Sequence, residues 1–145
     1  MQRQDLLESF YGQPGDENQL KRIQVPYPHK LAWDKRTVVN SFLCHKKVHD
    51  SLLKVLTKVL EIYGIDEIKR LGLDIWGGCR NVRQMRGGTD WSMHSWAIAL
   101  DYDPENNQLK WGRDRASFAK SEYDKWWQCW EEEGWEKTGQ VHNSL

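Results

Sequence analysis

The stretch from Gly77 to Asp103, GGCRNVRQMRGGTDWSMHSWAIALDYD, constrains this chain more than any other. It joins a loop rich in glycine and arginine to a run, Trp96 to Asp101, in which bulky and small residues alternate as they do in a buried strand. His94 and Asp101 are seven residues apart, an odd separation that a regular strand sends to opposite faces. If both are to meet one ion, His94 must precede the strand on a loop that curls back. Gly87, Gly88, Thr89 and Asp90 have the turn chemistry for such a loop. An imidazole and a carboxylate together suit zinc, which in catalytic sites usually takes three protein ligands and leaves a fourth position for water.

Ser92 to Asp101, SMHSWAIALD, resembles the S-x-H-x-x-G-x-A-x-D motif of the zinc peptidases that cut peptidoglycan stem peptides. That family holds D-alanyl-D-alanine carboxypeptidases and dipeptidases and L-alanyl-D-glutamate endopeptidases, many of them phage endolysins. The phrases NVRQMRGG, WSMHSW and DYDPENN resemble its phage-type branch, and the likeness runs from about Phe10 to Gly139. The resemblance implies that His94 and Asp101 are zinc ligands and that an upstream arginine binds the substrate carboxylate or carbonyl. Arg83 is the first choice for that arginine and Arg86 the second. Ser92 is grouped with the substrate-binding residues, where it is expected to brace the loop by hydrogen bonding rather than act as a nucleophile. Zinc is the implied cofactor and a peptidoglycan peptide the implied partner.

The chain departs from the family pattern in two places. Ala97 stands where the family has glycine, so the backbone there carries an extra methyl group. The family's late D-x-x-H or E-x-x-H, which supplies the general base and the last zinc histidine, follows a Gly-Trp pair and another glycine. Gly134, Trp135 and Gly139 are present, but the given sequence ends at Leu145, about where that run would begin. His142 is the only histidine in the tail, and Gly139 stands three residues before it. His142 is therefore the third-ligand candidate. The alternatives are a chain shortened before the family's last strand and a site that is rebuilt or lost.

One domain spanning 1–145 accounts for the length. With 39% hydrophobic and 29% charged residues, the composition is of the soluble globular type, and 21 basic residues balance 21 acidic ones. No global field favours nucleic acid. Residues 1–10 lack the apolar run of a signal peptide or membrane span, so the expectation is synthesis in the host cytoplasm and action at the bacterial wall after release. Cys44, Cys79 and Cys129 are odd in number and form no C-x-x-C pair, which favours free thiols. The nine tryptophans serve either as core or as exposed rings that stack on sugars or line a cleft. A monomer is the default.

Short helices are predicted over Asp5–Tyr11 and Asp16–Ile23, followed by an extended passage, Val25–His29, forced by Pro26 and Pro28. Val48, Leu52, Val55, Leu56, Val59 and Tyr63 recur at helical spacing and predict a long helix over Val38–Tyr63, stopped at Gly64. That helix would carry His45 and His49 in structural or solvent roles. A helical turn is predicted over Ile65–Leu71 and a strand over Leu73–Trp76. A turn over Pro104–Asn107 and a short strand over Asn107–Trp111 follow the metal motif. Asp103 is either a partner to the site or a turn carboxylate. Ser121 and Asp124 read as a capping box before an apolar stripe of Tyr123, Trp126, Trp127 and Trp130.

These elements predict an α+β fold: N-terminal helices, a small antiparallel sheet carrying the site, and a Trp-rich C-terminal helix. By resemblance the activity is zinc-dependent hydrolysis of peptide bonds in peptidoglycan stem peptides, with Arg83 in a catalytic role, neutralising developing charge. A catalytically inactive relative serving as a peptidoglycan-binding or structural module is the alternative, favoured by Ala97 and the absent D-x-x-H.

Overall fold

A two-residue period sets in well before the expected strand region. The computed structural model describes residues 3–85, 88, 90–103, 121–137 and 141–143, and the side chains of all of these except 3, 137 and 141–143. Helix α1 (Arg3–Tyr11) forms as predicted. The helix expected over Asp16–Ile23 does not form. A 3-10 turn, Glu17–Gln19, stands there instead, capped by Asp16 Oδ1 accepting from the Asn18 N–H at 3.0 Å. Strand β1 (Leu20–Leu31) follows, burying Ile23, Tyr27 and His29 on the alternate positions of one face. Pro26 and Pro28 belong to this strand and fall where its pairing with the next strand is interrupted, between Gln24 and His29. There the missing N–H groups cost no ladder bond.

Strand β2 (Asp34–His45) runs back antiparallel to β1, and α2 (His49–Leu71) begins only after it. The helix expected from Val38 is thus cut short at its start. Its three-and-four spacing begins only at Val48, whereas upstream the branched pair Val38–Val39 and the alternately buried Phe42 and Cys44 suit a pleated strand. Leu52, Val55, Leu56 and Val59 are fully buried along α2, each side chain contributing about 1.5–3 kcal/mol relative to exposure. Gly64 breaks the helical path as anticipated. Its φ of 76° and ψ of 163° put a kink there, and helical geometry resumes as far as Leu71.

Strands β3 (Ile75–Gly78), β4 (Ala99–Tyr102), β5 (Trp135–Lys137) and β6 (Val141–Asn143) complete a sheet of order β2-β1-β3-β4-β6-β5. The fold is α+β, but the sheet is mixed rather than wholly antiparallel, because β1 and β3 pair in parallel through Lys30–Ile75 and Leu31–Trp76. The sequence 104–111 lies outside the described residues. The Trp-rich helix α3 (Asp124–Glu132) is present, preceded by a 3-10 turn, Ser121–Tyr123. The expected Ser121–Asp124 capping box does not form. The helix starts at Asp124 with no side-chain cap, and the Tyr63 hydroxyl accepts from the Trp126 N–H at 3.0 Å.

Helix α3 buries Trp126, Trp127 and Trp130, and Trp135 of β5 joins them. Ring centroids lie 5.1 Å apart for Tyr102–Trp126, 5.5 Å for Trp126–Trp130 and 5.2 Å for Trp130–Trp135, all edge-on. With Trp96, five tryptophans are core, while Trp33 is 69% exposed. Among the described residues no helix is long and apolar enough to cross a membrane.

Beside this aromatic cluster His29 is buried with both ring nitrogens engaged. Nδ1 lies 3.0 Å from the Tyr27 carbonyl and so donates to it, and Nε2 accepts from the Tyr102 hydroxyl at 2.7 Å. Burial drives its pKa from 6.5 down to about 4, against the opposing pull of the Tyr27 carbonyl. The native state holds His29 neutral, so between these two values the unfolded chain binds the extra proton. Stability is therefore full above about pH 6.5 and falls as pH drops toward 4, by up to roughly 3 kcal/mol from this group. Urea titrations at stepped pH should show that decline, and His29→Gln should flatten part of it. An unchanged slope in the variant would show that His29 does not carry the effect.

Candidate functional site

The site is built where the loop after β3 is laced to a single turn before β4. That turn is a 3-10 segment, Met93–Trp96, capped by Ser92, whose Oγ accepts from the His94 N–H at 3.3 Å. His94 thus precedes the regular strand on a curled segment, as its odd spacing from Asp101 requires. The turn closes at Ala97, whose φ of 59° and ψ of 42° are left-handed and whose side chain is fully buried. This is the conformation a glycine favours, and an L-residue holds it at a cost of about 1–2 kcal/mol. The methyl group at this position therefore changes the energy of the turn without abolishing it.

His94 is 3% exposed. Its Nδ1–H donates to the Cys79 carbonyl at 2.8 Å, which turns the lone pair of Nε2 toward Asp101. Nε2 is buried, has no hydrogen-bond partner among the described residues, and lies 3.5 Å from Asp101 Oδ1. Burial resists protonation of His94, but the Asp101 carboxylate and the Cys79 carbonyl together outweigh it and hold its pKa above the ordinary value. Two ligands on adjacent corners of a zinc tetrahedron stand about 3.3 Å apart. The observed separation is close to that edge and long for a charge-assisted hydrogen bond. The pair thus supplies two donors at a separation that a zinc ion or a plain ion pair would both permit. Among the described residues no third His, Cys, Asp or Glu joins it.

Asp101 sits on β4 opposite Gly78, across an irregularity in the pairing with β3. Gly78 has a φ of 125°, a conformation that glycine tolerates, and it lets the strand bend beside the carboxylate. Position 142 on β6 pairs with Ala99, two residues along β4 from Asp101. Asp103 leaves the site altogether. Its N–H donates to the Ile75 carbonyl at 2.8 Å and its carboxylate lies against Gly72. His45 and His49 do not share an ion, since His45 spends both ring nitrogens on the Tyr11 carbonyl and the Lys47 N–H while His49 pairs with Asp50.

A cleft of about 640 Å³ opens over the pair and includes Arg83, Arg80 and Asn81 in its lining. Arg83 has no ion-pair partner among the described residues, and its positive charge is felt at His94. Its backbone is fixed on both sides by Ser95, whose Oγ accepts from the Arg83 N–H at 3.0 Å and donates to the Arg83 carbonyl at 2.9 Å. Arg80 is committed elsewhere, to Glu17 at 3.6 Å and the Gly15 carbonyl at 3.4 Å. Ser92 caps the turn and does not line the cleft. Arg86 lies outside the described residues.

Sequence reasoning missed Cys79 and Ser95, because one acts through a backbone carbonyl and the other through a loop it touches only after folding. The wall formed by Arg22, Trp33 and Phe42 is likewise not legible in the sequence, because it depends on the pairing of β1 with β2. Comparisons with protein-family models, with curated proteins and with solved structures found no match to the chain.

Replacing Ala97 tests the turn directly. Ala97→Gly removes about 1 kcal/mol of backbone strain and a buried methyl worth about 0.8 kcal/mol, so urea unfolding should shift by less than ~1 kcal/mol. Ala97→Val places a branched side chain at positive φ in a filled core and should cost more than ~2 kcal/mol.

Proposed function

We propose that the chain is a zinc-dependent peptidase of peptidoglycan stem peptides, a D,D-carboxypeptidase or an endolysin-type endopeptidase. The observation that carries the reading is the His94–Asp101 pair, a buried imidazole nitrogen with no hydrogen-bond partner among the described residues, 3.5 Å from a carboxylate that lines an arginine-bearing cleft. A surface ion pair has no need of that burial, and a structural histidine ordinarily has both nitrogens satisfied, as His29 and His45 do. Support also comes from Ala97, which holds the backbone conformation that suits the glycine of the peptidase motif.

In this reading His94 Nε2 and Asp101 hold the ion and His142 is the third ligand. The Cys79 carbonyl fixes the imidazole tautomer, as a partner behind a metal-bound histidine commonly does. Arg83 binds the substrate's carboxylate or scissile carbonyl, and a guanidinium there neutralises charge as it develops on oxygen. Ser95 holds Arg83 in place, and Ser92 holds the turn. Zinc bound here would polarise the carbonyl and lower the pKa of its water toward ~7.

Elemental analysis after dialysis against zinc should find the metal in the wild-type chain and not in His94→Ala or Asp101→Ala. His142→Ala should also strip it, and retention there would remove His142 from the ligand set. Digestion of purified peptidoglycan should expose new peptide termini by mass spectrometry, reduced by about 10²-fold in Arg83→Ala. A wild-type protein that takes up no zinc would end the peptidase reading, whereas one that sediments with peptidoglycan yet yields no new termini would favour the binding module.

A further inference from the structure

We infer that the part of the cleft lined by Trp33 is a saccharide subsite, in which Trp33 stacks on a pyranose ring of the glycan that carries the peptide. The inference rests on the proposed function for the identity of the glycan, and on the β1–β2 hairpin for its geometry. Trp33 lines the same cleft as His94 and Asp101, yet 69% of it is exposed. The ring sits on a fixed support. The Ala32 N–H donates to the Trp76 carbonyl at 3.0 Å, and Asp34 accepts from the Arg36 N–H at 3.2 Å and the Thr37 hydroxyl at 2.7 Å. Little order remains to be imposed on that turn when a ligand arrives.

Phe42 and Trp76, which also line the cleft, stack with centroids 4.7 Å apart and planes 23° from parallel. Polar groups border these rings. Arg22 donates to Ser41 Oγ at 3.0 Å and has no carboxylate partner among the described residues. A pyranose has a matching surface: a face of C–H groups that lies on an aromatic ring, edged by hydroxyl and acetamido oxygens that accept hydrogen bonds. A free stem peptide has no such flat face, and an apolar protein segment would leave the guanidinium donors unanswered.

The test is titration of the full chain with the soluble β-1,4-linked N-acetylglucosamine tetramer, followed by tryptophan fluorescence and amide chemical shifts. The expected result is saturable binding with shifts at the β1–β2 hairpin, weakened about tenfold in Trp33→Ala and partly restored in Trp33→Phe. Trp33 is mostly exposed, so the alanine variant folds, which its unfolding midpoint checks. Absence of binding by the wild type, or equal binding by Trp33→Ala, overturns the subsite. So does loss of affinity in Trp33→Ala for a sugar-free stem peptide with no effect on the tetramer. Saccharide binding needs no metal, so protein dialysed against a chelator should keep it; a protein that binds the tetramer but takes up no zinc sinks the peptidase reading and spares the subsite.

Discussion

Alternation along β4 holds this molecule together. Leu100 and Tyr102 point into the core, where Tyr102 meets Trp126 and Trp130 edge-on and donates to His29. Asp101, between them, faces the cleft. One short strand thus joins the largest aromatic cluster to the candidate site, and the pleat permits no other distribution of those three side chains. Slipping the register by one residue would bury the carboxylate among indoles and put a tyrosine in the cleft. The aromatic packing therefore fixes where the carboxylate stands.

The histidine is positioned by a different means. Its turn is tied to the preceding loop through the Asn81 N–H to the His94 carbonyl, the Ser95 hydroxyl to Arg83, and the imidazole to the Cys79 carbonyl. These bonds set the loop bearing Arg80 and Arg83 and the turn bearing His94 as one unit. A buried imidazole with a fixed tautomer, whose Nε2 meets a carboxylate only at 3.5 Å, is costly to keep, and the proposed metal role would offset that cost.

Helix α2 and the tryptophan helix were read correctly where their apolar residues recur at three and four. Val38–His45 departs from the expected long helix, because the three-and-four spacing begins only at Val48. There the branched and aromatic residues pack as a strand against β1, and partners about 8 to 25 residues away decide the outcome. The prolines at 26 and 28 signalled an extended segment correctly, but only the interruption in pairing shows how a strand accommodates both.

For the site, the residues alone marked His94 and Asp101 as a pair and required His94 to lie off the strand, because side-chain alternation is a property of the local backbone. The choice of Arg83 came from the resemblance to the peptidase motif, since composition alone fits a solvated turn equally well. The 3.5 Å approach of imidazole to carboxylate was decided by folding, as were the choice of the Cys79 carbonyl as the imidazole's partner and the cleft wall given by a hairpin sixty residues upstream. Each depends on segments distant in the chain, or on backbone atoms that every residue shares, and neither leaves a mark in the order of side chains.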